Sequence, residues 1–215
     1  DYKSMIESAR QGKVNYIRLN ERKIDDYKQT IASVLEDTQD LAAITESLLE
    51  LNKISITDYQ ASFSILRIDE IMWESRSQTQ KLNAAYKVMI DTQFMPDNEE
   101  LLQIKGDEKL VLTALKNLIE NGCKFSTHKQ AYVSLQIMGQ FIEIKIKNEG
   151  KGIPEADIPY IFQPFFRAEN TAASKGYGIG LSLVERIVNL HQGSISVQSE
   201  QNSWTEFSVK FPIAS

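Results

Sequence analysis

The chain has 215 residues, 42% of them hydrophobic, 25% charged and 9% aromatic: enough apolar material for a packed core, which excludes wholesale disorder. Twenty-four Lys and Arg against 29 Asp and Glu leave a net charge of −5, the wrong sign for gripping a nucleic-acid backbone. The lone cysteine, Cys123, excludes an internal disulfide and a zinc-binding Cys cluster, so a reducing compartment fits. No apolar run approaches the ~20 residues that cross a bilayer, and the polar start Asp1-Tyr2-Lys3-Ser4 has no signal-peptide core. At ~150 residues per domain, the length predicts two pieces.

In chain order, a short amphipathic piece with Met5, Ile6 and Ala9 opens the sequence, and a polar stretch containing Gly12 follows. Over residues 27–51, apolar residues recur at alternating spacings of three and four. Tyr27, Ile31, Val34, Leu41 and Leu48 form one seam, with Leu35, Ala42 and Leu49 beside it. That pattern predicts a long helix whose apolar face is two positions wide, as in a four-helix bundle. One helix cannot bury such a face; two hairpins, one from each of two chains, would complete a bundle, so a homodimer is the expected solution. The plainer alternative packs the helical pair on its own C-terminal domain. The pattern changes after Lys53, which puts a boundary near residue 55 and divides the chain into 1–55 and 56–215.

Beyond it, Ile68, Ile71, Met72, Ser75, Thr79 and Leu82 predict a helix over 68–84 with one inward side, and a second helix starts at Asp107. Val133, Leu135 and Ile137, a Gly139-Gln140 turn, then Ile142, Ile144 and Ile146 predict a hairpin with one buried face. Residues 178–191 carry a third helical stripe. Ile195 and Val197, then Phe207, Val209 and Phe211, repeat the strand alternation. The expected class is α+β, a mixed sheet covered on one face by helices. Neither an internal repeat nor a low-complexity segment is visible.

Four segments carry chemistry. On the helix from Asp107, Asn117, Asn121 and Lys124 fall at i, i+4 and i+7 along an edge separate from Leu110, Val111, Ala114, Leu115, Leu118 and Ile119. Carboxamide oxygens suit a hard octahedral cation and a Lys neutralises phosphate, so the edge fits a metal-nucleotide complex; an ordinary solvated helix face fits the same residues. Asn148-Glu149-Gly150-Lys151-Gly152-Ile153-Pro154 follows a buried strand, with glycines where a backbone passes close to something, and reads as a ligand turn or as a plain exit from the sheet. Ile161-Phe162-Gln163-Pro164-Phe165-Phe166-Arg167 comes next, then the small, polar residues 170–175, suited to a lid. Gly176-Tyr177-Gly178-Ile179-Gly180-Leu181 opens a helix, where free backbone N–H groups and the helix dipole favour phosphate. It fits neither the Walker nor the Rossmann spacing. Lys124, Lys151, Arg167 and Lys175 concentrate positive charge around these segments. Cys123 reads as a buried small residue, not a nucleophile.

The ordered set resembles sensor histidine kinases. Residues 117–126, Asn-Leu-Ile-Glu-Asn-Gly-Cys-Lys-Phe-Ser, look like that family's N box, and the next three segments resemble its G1, F and G2 boxes. The resemblance covers about residues 60–215, and the hairpin before it is similar to the family's dimerisation and phosphotransfer domain. It implies a Bergerat-type ATP-binding domain with Asn121 on Mg²⁺, Asn117 beside it and Lys124 near the phosphates. The loop 176–180 would cradle the phosphates, and Asn148 would face the adenine. The implied nucleotide-binding set also includes Phe125, Gly150, Gly152, Ile153, Arg167, Lys175, Gly176, Tyr177, Gly178, Ile179, Gly180 and Leu181, with Asn117 and Lys124 as catalytic residues.

Three departures qualify the resemblance. Asn148 stands where the family usually has Asp; its carbonyl oxygen can accept the same adenine hydrogen bond without charge, which is compatible with weaker ATP binding, and because some relatives also carry Asn there, loss of activity does not follow. Gly122 replaces a commoner Ala, at a cost under ~1 kcal/mol of helix stability. The family's acceptor His, followed by an acidic residue and a Pro, is absent before Ile54; His128 sits in a polar loop, and His191 ends a helix, where the dipole favours a cation. Either the chain begins downstream of that His, the preferred expectation, or the parent lacks it. The implied reaction is transfer of the ATP γ-phosphoryl to a neutral imidazole, for relay to a response-regulator Asp. Related gyrase-type ATPases carry a water-activating Glu where this chain has Asn117, so fast hydrolysis and serine-kinase activity are disfavoured. The parent is expected to be a membrane-anchored sensor of which this is the cytoplasmic part, touching neither nucleic acid nor membrane. The rival is a non-catalytic dimeric scaffold with weakened nucleotide binding.

Overall fold

The computed structural model describes residues 63–168 and 178–214, all within one compact unit, Glu46–Ser215. The hairpin expected over 1–55, the boundary after it, the lid at 170–175, Gly176 and Tyr177 lie outside the described residues.

In chain order the elements are β1 (Ser64–Arg67), α1 (Ile68–Leu82), β2 (Lys87–Asp91), β3 (Gln103–Gly106), α2 (Glu108–Phe125), β4 (Gln130–Met138), β5 (Phe141–Glu149), α3 (Gly180–Leu190), β6 (Ser194–Glu200) and β7 (Trp204–Pro212). Five strands form a sheet in the order β2-β4-β5-β7-β6, and β1 and β3 pair as a separate antiparallel ribbon. Only the β2–β4 pair of the main sheet is parallel, so the sheet is mixed.

The hairpin follows from its alternation: Val133 faces Ile146, Leu135 faces Ile144 and Ile137 faces Ile142 across the ladder. The buried face of the hairpin then lies against a helix, with Ile137 at its half-buried margin. On α2, Val111, Ala114, Leu115, Leu118 and Ile119 are at most 1% exposed, and the helix lies over β4 and β5 while packing against α1 and α3. Asp107 caps α2, its Oδ1 accepting the Leu110 N–H at 3.0 Å, a contact worth ~1 kcal/mol. The result is the expected α+β two-layer architecture. Cys123 is fully buried as expected, and burial pushes its thiol up to about 11, well away from a reactive thiolate.

Two expectations need correction. Leu82, assigned to the inward side of the first helix, is 58% exposed: α1 ends there, and its buried face stops at Thr79. His191, expected to favour a cation at its helix end, is held neutral. Its Nε2 accepts the Asp107 N–H at 3.0 Å while Nδ1–H donates to the Ile187 carbonyl at 2.7 Å, leaving no lone pair for a proton. The ring is 2% exposed and stacks on Phe63 at 4.6 Å. Burial holds its pKa below the ordinary value, against the opposing pull of Ile187 and Asp107.

As pH falls through about 6.5, the unfolded chain therefore gains a proton that the folded one refuses, and stability is lost on acidification. The thermal midpoint is expected to fall more steeply between pH 7.5 and 5.5 in the protein than in His191→Gln, whose amide keeps an acceptor and cannot titrate. Equal slopes would remove His191 from the account.

Candidate functional site

The site is built outward from the polar ridge of α2. Leu118, Ile119 and Cys123 turn inward, so the 3.6-residue period leaves Asn117, Asn121 and Lys124 half-buried along one edge of the helix. Asn117 is oriented by its own helix, Nδ2 donating to the Thr113 carbonyl at 2.9 Å. Its Oδ1 reaches the first turn of α3: a Cβ on Gly180 would stand 2.9 Å from it. Sequence positions 117 and 180 thus come together.

At the other end of the ridge, burial lowers the Lys124 pKa, Glu120 opposing and Arg167 adding to the effect. Two cations from separate segments, Lys124 and Arg167, therefore share one electrostatic field. The Lys124 Nζ also lies 5.1 Å from the Phe125 ring centroid.

The end of α2 is tied to the turn after β5. Ser126 bridges Gly150, and the Thr127 N–H donates to the Glu149 carbonyl at 3.0 Å. Any Cβ on Gly150 would fall 2.2 Å from the Phe125 carbonyl oxygen, so only glycine lets the two backbones touch. Lys151 accepts the Asn202 N–H at 2.8 Å, and Gly152 at φ 62 lies against the Glu200 carbonyl. Just before this turn, Asn148 is 4% exposed and sits opposite Thr205 of β7. Thr205 Oγ1 lies 2.8 Å from Ser199 Oγ, which also accepts the Ile153 N–H at 2.8 Å. Asn148, Thr205, Ser199 and Ile153 form one polar cluster at the sheet's end.

Thr205 and Ser199 escaped sequence reasoning. The available signal was a polar residue in the inward register that Thr205 shares with Phe207, Val209 and Phe211.

The segment before the lid is clasped to the start of α3. The Phe165 N–H donates to the Gly178 carbonyl at 2.9 Å, and Phe165 itself adopts φ 67, costly for a bulky residue. Gly178, at φ 73, lies so close to Phe166 that a Cβ would stand 2.5 Å from the Phe166 carbonyl oxygen. Ile179 is buried as the N-cap of α3, and Leu181 is half-buried in its first turn. Of the nucleotide-binding set read from the sequence, Lys175, Gly176 and Tyr177 alone lie outside the described residues. Among the described residues no group of three His, Cys, Asp or Glu is placed to hold a metal ion, and no helix is long and apolar enough to cross a membrane.

Comparison with known proteins gives a consistent result. The family model described as histidine kinase-, DNA gyrase B-, and HSP90-like ATPase matches residues 106–215. The signal transduction histidine-protein kinase ArlS of Staphylococcus epidermidis is 29% identical over 182 residues, 83% of this chain and 39% of ArlS. The adaptive-response sensory kinase SasA of Synechococcus is 31% identical over 181 residues, 81% of this chain and 45% of SasA. The chain thus spans less than half the length of these relatives. The mycobacterial sensor histidine kinase MprB shares the fold, with a TM-score of 0.62 and 22% identity over 69% of this chain and 97% of that one. With α2, the Gly150 turn and the α3 start all inside the matched region, the chain belongs to the histidine kinase-, DNA gyrase B- and HSP90-like ATPase family.

Proposed function

We propose that the chain is the ATP-binding catalytic part of a two-component sensor histidine kinase, binding Mg-ATP and directing the γ-phosphoryl to a histidine outside this sequence. The observation that carries this reading is the α2 ridge, bounded by the first turn of α3 at Asn117 and by Arg167 at Lys124. A neutral donor pair between a helix N-terminus and two cations suits a polyanion that brings its own metal.

In this reading the carboxamide oxygens of Asn121 and Asn117 hold the Mg²⁺, and Lys124, Arg167 and Lys175 offset phosphate charge. Gly176, Tyr177, Gly178, Ile179, Gly180 and Leu181 offer backbone N–H groups, and Phe125, Gly150, Gly152 and Ile153 frame the purine beside Asn148. Bound Mg²⁺ supplies charge neutralisation across the triphosphate. The residues position and exclude; none is needed as a base, because a neutral imidazole already offers a lone pair. Asn117 cannot take a proton from water, which keeps the phosphoryl for the histidine. His191 is unsuited as acceptor, both ring nitrogens being engaged.

The partners that go with this reading are a second copy of the chain, through the N-terminal helices, and the receiver aspartate of a response regulator. The setting is the cytoplasmic side of a membrane-anchored sensor. Incubating the full-length protein with γ-labelled ATP and Mg²⁺ should give acid-labile, base-stable label on the protein. Release of free phosphate with no label retained would contradict the proposal.

A further inference from the structure

The polar cluster at the sheet's end can present either hydrogen-bond polarity to a purine. Asn148 carries a carboxamide, donor on one side and acceptor on the other, and either can face the ligand after a half-turn of χ2. Its cross-strand neighbour Thr205 is equally reversible, because Ser199 has one hydroxyl hydrogen and two acceptors within reach: the Trp204 carbonyl at 2.8 Å and Thr205 Oγ1 at 2.8 Å. When Ser199 donates to Trp204, Thr205 must donate to Ser199 and shows its lone pairs to the site. When Ser199 donates to Thr205, the Thr205 hydrogen is released toward the site. The Ile153 N–H holds Ser199 in place in both settings.

An adenine edge offers a donor at N6 and an acceptor at N1; a 6-oxopurine offers the reverse, an acceptor at O6 and a donor at N1. The first matches the Asn148 oxygen with a donating Thr205, the second the Asn148 amino group with an accepting Thr205. A carboxylate at position 148 would accept only and would repel O6. Resting on the nucleotide reading above, we propose that this site takes 6-oxopurine nucleoside triphosphates as well as ATP, Asn148 and Thr205 reversing polarity together.

Inosine triphosphate is the deciding probe, since it carries the 6-oxo edge without the extra 2-amino group of guanine. Titrated with Mg²⁺ into the protein, inosine triphosphate is expected to bind within about tenfold of ATP, and Asn148→Asp to widen the difference at least about tenfold, one charge-assisted hydrogen bond being worth that much. ATP binding with inosine triphosphate more than tenfold weaker overturns the proposal, as does a ratio that a folded Asn148→Asp leaves unchanged. Failure of both nucleotides to bind overturns the nucleotide reading itself. The ratio in the unsubstituted protein decides even if the variant does not fold.

Discussion

Asn121→Ala is expected to weaken binding of a Mg²⁺-loaded, non-hydrolysable ATP analogue at least about a hundredfold, the order of loss when one partner of a desolvated charged contact is truncated. The fold should barely notice. Asn121 is half-buried on the polar edge of α2, whereas the helix is held by Leu118, Ile119 and their neighbours, so the thermal midpoint should move by under about 3 °C. Repeating the titration without Mg²⁺ separates a metal ligand from a residue that touches the nucleotide. The account expects wild type and variant to bind alike there. An equal loss with and without the metal would move Asn121 from the cation to the nucleotide.

Gly150→Ala should act through the fold. The new Cβ would lie 2.2 Å from the Phe125 carbonyl oxygen, and both groups are backbone, anchored by the Ser126–Gly150 bridge and by the Gly150 N–H to the Ser203 carbonyl at 3.0 Å. No rotamer relieves such a contact. The end of α2 and the turn must part, at a cost of about 3 kcal/mol, or roughly 6–12 °C in thermal midpoint. Because that junction aligns Asn148 with the α2 ridge, nucleotide affinity should fall as well. A variant with an unchanged midpoint by calorimetry would mean that the two backbones are not held together as described.

The legible parts of the fold were those with a strong period. The β4–β5 hairpin and the α2 stripe could be read because inward Val, Ile and Leu alternate or recur without interruption. Strands β1, β2 and β3 could not. They have four or five residues each, and in β2 the exposed Met89 stands between Val88 and Ile90, so three apolar residues in a row hide the alternation of burial. Leu82 misled because a helical period says nothing of where the neighbouring layer ends.

The candidate site was visible where chemistry is local: two carboxamides at i and i+4, or glycines at a turn. The Asn117–Gly180 approach, the electrostatic influence of Arg167 on Lys124 and the Ile153–Ser199 hydrogen bond join residues tens of positions apart. Such links depend on sheet order, which no spacing encodes. Gly122 shows the same limit: a Cβ there would meet the Ala131 Cβ at 3.0 Å, a packing reason for the missing methyl that lies in another strand.

The central claim is that the α2 ridge, the Gly150 turn and the start of α3 form one site for a magnesium-bearing nucleoside triphosphate. Isothermal titration of the folded protein with the non-hydrolysable analogue, with Mg²⁺ and then with EDTA, tests it most directly. The account predicts saturable one-site binding that weakens when the metal is removed. A flat titration in both conditions, on protein with an intact melting transition, would contradict it.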